Sequence, residues 1–94
     1  MSSEVETVRN DRASRYEGRV GGEVVTVVDF VRAGSVLIVT HTVTDPAHRG
    51  QGLAALVTRA ALEDIRSRAE QVRALCPFTV TYLRTHPEFA DLQV

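Results

Sequence analysis

Arg49-Gly50-Gln51-Gly52-Leu53-Ala54 stands where a β-branched run gives way to a long amphipathic stretch. Upstream, Val36-Leu37-Ile38-Val39-Thr40-His41-Thr42-Val43 reads as a strand, and Asp45-Pro46 ends it because proline has no N–H for a ladder. Downstream, from Gln51 to about Ala69, the period becomes helical. Leu53, Leu56, Val57, Ala60, Ala61 and Ile65 form one stripe, with Arg59, Glu63, Arg66 and Glu70 pointing outward. A surface helix ordinarily places Asp or Glu in its first turn to complement the macrodipole. Here His48 and Arg49 precede the helix and Glu63 is its first acid, so the positive end has no internal anion. Gly52 near the helix start costs about 1 kcal/mol relative to alanine, a cost tolerated where backbone must approach a ligand closely. An arginine, two glycines and small residues at a strand-to-helix junction supply a ring of N–H groups suited to a phosphate. A plain loop with a glycine N-cap is the competing reading.

Working outward, Gln71 to Cys76 reads as a short strand. Val36–Val43, the helix and Val72–Cys76 then form a βαβ crossover with parallel strands. Before it, Tyr16–Val20 and Glu23–Arg32 flank Gly21-Gly22, a hairpin signal. The valine-rich second strand reads as covered on both faces. Ala33-Gly34-Ser35 supplies the next turn, completing an antiparallel meander of three strands. Pro77 fits the first position of a C-terminal helix, Phe78 to His86, which His86-Pro87 closes before a short tail, Glu88 to Leu92. Residues 1–13 carry few apolar anchors and are expected to be a flexible lead-in to one α/β domain, residues 14–94.

The net charge of −1 argues against a general nucleic-acid or anionic-membrane binder. All 11 basic residues are arginine, which excludes a lysine Schiff base or a Walker-type lysine grip. A single cysteine, Cys76, forms no internal disulfide and points to a reducing compartment. No secretory h-region opens the chain, and no apolar stretch nears the ~18 residues that span a bilayer, so the cytoplasm is the expected location. The three histidines and Cys76 lack metal-ligand spacing, and no metal is expected.

Arg49-x-x-Gly52-x-Ala54 is similar to the acyl-CoA pyrophosphate signature of GNAT-type N-acetyltransferases. Thr40-His41-Thr42-Val43, Ala61-Leu62-Glu63-Asp64, Leu75-Cys76-Pro77-Phe78, Tyr82-Leu83-Arg84 and His86-Pro87-Glu88-Phe89 occur in the order of a short GNAT-like subgroup. The resemblance spans roughly Tyr16 to Leu92. It implies acetyl-CoA or another acyl-CoA as cofactor, with the two parallel strands splayed into a V. Pantetheine would pair with backbone near Thr42 and Val43, and the pyrophosphate would sit on amides of Gly50, Gln51, Gly52, Leu53, Ala54 and Ala55, beside Arg49. The inferred activity is acyl transfer to an amine acceptor. Family members usually carry N-terminal helices that wall the acceptor pocket. Strands begin almost at once here, so the acceptor site is expected to be open, shallow or completed by another molecule. The family's common asparagine after the fifth strand is replaced by Cys76-Pro77.

Three side chains are catalytic candidates. Cys76 ends a strand and precedes helix amides that lower a thiol pKa. It reads as an acyl acceptor in a two-step transfer, as a partner in a mixed disulfide with CoA, or as a small buried hydrophobe. The resemblance makes Tyr82 the phenol that protonates the leaving thiolate, with simple packing as the alternative. His41 is either the base that takes a proton from the amine or a structural residue of the strand. His48 reads as a minor phosphate contact or an exposed side chain, and His86 as a helix cap or a stack on Phe89. A CoA-binding or CoA-thiol-sensing module without turnover is the alternative function. A monomer or a weak dimer paired through an exposed edge at Tyr16–Val20 is expected.

Overall fold

The computed structural model describes residues 4–94. Five strands form one sheet in the order β1-β2-β3-β4-β5: β1 Glu6–Asn10, β2 Arg15–Val20, β3 Glu23–Ala33, β4 Val36–Thr44 and β5 Gln71–Ala74. The first four are antiparallel, and β5 runs parallel to β4 after the crossover helix α1, Leu53–Ser67. Helix α2, Pro77–Thr85, and a 3₁₀ segment, Pro87–Leu92, complete the chain. The α/β architecture and the crossover are as expected. Gly21 and Gly22, at φ 60° and 84°, form the two-residue turn between Val20 and its partner Glu23, where a side chain would strain the backbone.

The meander has a fourth strand. Glu6–Asn10, expected within the flexible lead-in, pairs with β2 from Glu6↔Arg19 to Asn10↔Arg15. Its anchor is Arg9, whose side chain is only 4% exposed. The guanidinium donates to both Glu70 carboxylate oxygens at 2.6 and 3.2 Å and to Asp11 at 2.9 Å, and lies over the Tyr16 and Phe30 rings. Tyr16 in turn donates to Asp64 at 2.6 Å. Glu70 is therefore not an outward helix residue but a largely covered counter-ion of Arg9. The expected edge at Tyr16–Val20 is covered by β1, so β1 and β5 are the sheet's outer strands.

Both helices pack on the same face of the sheet. One apolar cluster joins Tyr16, Val28, Phe30, Leu37 and Val39 to Val57, Ala61 and Ile65 of α1, and to Tyr82, Leu83, Phe89 and Leu92. Arg59 and Arg66 of α1 reach across to Glu88 and Asp91. The helical stripe holds with three changes: Thr58 and Leu62 are buried, whereas Leu56 is 51% exposed beside α2. Among the described residues the opposite sheet face carries no helix, so β3 is not covered by helices on both sides. Val28 and Phe30 are buried while Val31 is 56% exposed. Among the described residues no helix is long and apolar enough to cross a membrane.

Glu17 lies on the bare face but is buried beneath its neighbours. Arg19 donates to one carboxylate oxygen at 2.6 Å, and Arg15 and Asn10 donate to the other at 2.8 and 3.0 Å. Arg19 first, then Arg15, hold the carboxyl at about 2 against the opposing effect of burial, down from an ordinary 4.5. A depressed folded-state pKa stabilises the protein above the ordinary value, and that stabilisation is lost as pH falls through the folded one. Glu17→Gln should therefore be less stable than wild type at neutral pH, with the gap closing between pH 4.5 and about 2. Urea unfolding across that range measures it.

Candidate functional site

One extra residue in β4 decides what faces where. Its register with β3 runs from Thr26↔Thr44 to Asp29↔His41 and resumes at Phe30↔Val39, leaving Thr40 as a bulge. Alternation along a strand is reset by such an insertion. Leu37 and Val39 point into the core, and after the bulge Thr42 and Thr44 lie on that helix side. Thr42 meets Cys76, and the Thr26 hydroxyl bonds that of Thr44 at 3.2 Å. His41 and Val43 turn to the bare face and are exposed.

The parallel ladder ends at the same place. β5 pairs β4 from Val36↔Gln71 to Val39↔Ala74, and the amides of Leu75 and Cys76 both bond the Val39 carbonyl, at 2.9 and 3.1 Å. From there the two strands separate, and β4 continues through Thr44. The expected strand Gln71–Cys76 stops at Ala74 because Cys76 has already become the N-cap of α2.

Cys76 is 5% exposed at this fork, with Sγ 3.5 Å from Thr42 Oγ1. Burial opposes ionisation, but the Thr42 hydroxyl and the amides of Thr79 and Phe78 outweigh it, lowering the thiol pKa. Thr79, 1% exposed, lies near the same sulfur, its hydroxyl without a hydrogen-bond partner among the described residues.

The loop before α1 is shaped by glycines at positive φ, Gly50 at 83° and Gly52 at 72°. Gly52 is the N-cap and offers no side chain to the helix amides, and the first turn holds no acid. The unpartnered amides of this turn border a hollow of about 160 Å³, lined also by Thr44, His48, Arg49, Gly50 and Phe78. Nδ1 of His48 is buried without a hydrogen-bond partner among the described residues. Arg49 Nε lies 3.4 Å from the Thr44 carbonyl, tying the loop to the end of β4. Ala55 and Phe78 also border a second hollow, about 440 Å³, between α1 and α2. The two share walls as one groove that starts at the helix N-terminus.

Tyr82 lines the larger hollow. Its ring stacks on His86 at 3.7 Å and on Phe78 at 6.5 Å, and its hydroxyl lies beside Arg59, which also pairs with Glu88. His86 caps α2, its Nδ1 2.7 Å from the Tyr82 carbonyl, and stacks on Tyr82 rather than Phe89.

The structure thus gathers Arg49, Gly50, Gly52, Leu53, Ala54 and Ala55 around one hollow, with Gln51 exposed outside its lining. Thr42 and Cys76 meet at the strand fork, Tyr82 sits along the groove, and His41 and the Val43 side chain face the other side of the sheet. Thr44 and Thr79 were not expected at the site. Both are ordinary threonines in sequence, and only register and helix phase bring them there.

A model of the GCN5-related N-acetyltransferase family matches residues 15–92. The chain belongs to that family. No curated protein matches the sequence. Among solved structures, the solution NMR structure of a GCN5-like protein from Staphylococcus aureus superimposes with a TM-score of 0.70 at 15% identity, covering 99% of this chain and 89% of that one. The likeness is one of fold. Within the family frame, the thiol environment is open to a direct check. Thr42→Val should raise the Cys76 pKa by removing a hydroxyl that favours the thiolate, slowing iodoacetamide alkylation at neutral pH. The pH dependence of the alkylation rate reads it; an unchanged profile removes Thr42 from the thiol's environment.

Proposed function

We propose that this domain binds acetyl-CoA or a related acyl-CoA and transfers the acyl group to an amine. The observation that carries the reading is the N-terminus of α1. Its amides lack both acid and side-chain cap, and they open onto a groove beside the point where β4 and β5 part. An anion is the partner such a helix end lacks. Gly50 to Ala55 fit the pyrophosphate with backbone amides, assisted by His48 and Arg49. The unpaired edge of β4 at Thr42 and Val43 fits the amide groups of pantetheine. Bound there, the thioester supplies an activated acyl carbon, and the chain's task is chiefly positioning.

The remaining roles follow from the two sides of the sheet. Thr42 and Cys76 meet on the helix side of the fork. His41, on the bare side, takes a proton from the incoming amine, and Tyr82 brings a phenol to the groove to protonate the departing thiolate. Direct transfer is the simpler route. Cys76, with its lowered thiol pKa, is the residue to test for a covalent acyl step.

Calorimetric titration of acetyl-CoA and CoA into the reduced protein, followed by intact mass, tests the reading. Micromolar binding is expected. Gly52→Glu should abolish it while the protein remains folded, because an acid would then occupy the helix end; unchanged affinity would remove the loop from the site. A mass gain of one acetyl group that vanishes in Cys76→Ser would mark the two-step route, and no gain the direct one. Absence of both heat and thermal shift would overturn the acyl-CoA assignment.

A further inference from the structure

The bare sheet face carries a carboxylate and an imidazole that the fold does not use. Asp29 on β3 and His41 on β4 are register partners, so their side chains project together on the side away from the helices. The Thr40 bulge is what places them there. Without the extra residue, position 41 would continue the inward phase of Leu37 and Val39. Asp29 is half-buried, and among the described residues its carboxylate makes no ion pair and no side-chain hydrogen bond. Its other register partner, Arg15, is engaged by Glu17 at 2.8 Å. A half-buried carboxylate with no ion pair of its own can accept hydrogen bonds from an added cation.

The surroundings say what kind. Val27 and Val43 form the neighbouring row toward one end, with Val43 52% exposed. Val31, 56% exposed, and Ile38 follow on the other side of the bulge. The pair is therefore an anion and an imidazole with apolar side chains of β3 and β4 to either side, bounded by Arg15 and Glu17 on β2 and by Arg73 on β5. It also lies one residue from Thr42, which faces Cys76 through the other side of the strand.

We propose that Asp29 binds the ammonium group of the acceptor, a primary amine on an apolar carbon stem, and holds it against His41. The use of this site in transfer rests on the acyl-CoA reading; the binding itself does not. Asp29 accepts hydrogen bonds from R–NH₃⁺, and His41 takes one proton from it to give R–NH₂. The nitrogen lone pair then forms the C–N bond to the acyl carbon as the C–S bond breaks and its electrons leave with sulfur. The second proton lost by nitrogen ends on the CoA thiolate, giving an amide and a thiol, while His41 releases its proton to water. Asp29 is a binding and positioning residue, and His41 is the proton acceptor.

NMR of the histidine imidazoles in the reduced protein tests the assignment, with n-butylammonium and its neutral counterpart 1-butanol as probes. Butylammonium should shift the His41 signals in a saturable way, 1-butanol should not, and His48 and His86 should stay still. Asp29→Asn, close to isosteric, should weaken the butylammonium response at least about tenfold, the scale of a hydrogen bond to a charged group. Asp29→Glu should restore part of it. The alcohol contrast needs no variant, so it stands even if a substitution harms folding. Equal responses to the two probes, or an unchanged response in a folded Asp29→Asn, would overturn the proposal. Calorimetry with CoA on the same samples separates the two readings. Lost CoA binding with retained butylammonium binding would sink the acyl-CoA assignment alone, and the reverse pattern would sink only the ammonium site.

Discussion

Side chains on a strand alternate strictly, and the geometry of this molecule depends on the one place where β4 interrupts that rule. Before Thr40 the inward residues are Leu37 and Val39, part of the apolar core. After it they are Thr42 and Thr44, small and polar, facing a thiol and a helix terminus. The same step turns an imidazole to the uncovered face. A single inserted residue thus converts a core strand into a partition with a groove on one side and an open surface on the other. The parallel partner departs at Val39, immediately beside the bulge, so the change in side-chain phase and the gap in the ladder coincide.

The rest of the chain holds that partition still. Short turns fix the meander, and α1 spans its helix side with Val57, Ala61, Leu62 and Ile65 buried. Gly18 on β2 is required for this approach, since a Cβ there would run into Val57. The loop that ends β4 is tied back by Arg49 and preset by two glycines in left-handed geometry, so the helix amides are aligned before any anion arrives.

Much of this was legible in the residues. The β-branched run, the glycine loop and the 3.6-residue stripe after it determine a strand, a turn and a helix almost by themselves. The absence of acids between Gln51 and Glu63 then points to an anion site where β4 gives way to α1. What escaped was everything that depends on partners distant in sequence. Arg9 looks like a loose polar residue until Glu70 and the rings of Tyr16 and Phe30 close around it, and so β1 was invisible. The bulge left no mark because Thr40 is as β-prone as its neighbours. Without the bulge, Asp29 had no reason to be set beside His41. Leu56 satisfied the helical period yet lies toward the α2 side of the stripe, where a hollow replaces packed core.

The Arg9–Glu70 bridge has a kinetic side. It joins positions 61 residues apart, linking the first strand to the turn that follows the crossover helix. Neither end buries its charge before the other arrives, so β1 gains its anchor only once α1 is seated and β5 begins. Contacts of such long sequence separation carry a high loop-closure cost and slow the search for the native state. The security of β1 is thereby tied to the seating of α1, and its release would expose β2 as a free edge. Fraying at the start of the sheet and loosening of the α1–β5 turn belong to one cooperative unit, which native-state hydrogen exchange would register as a shared opening free energy.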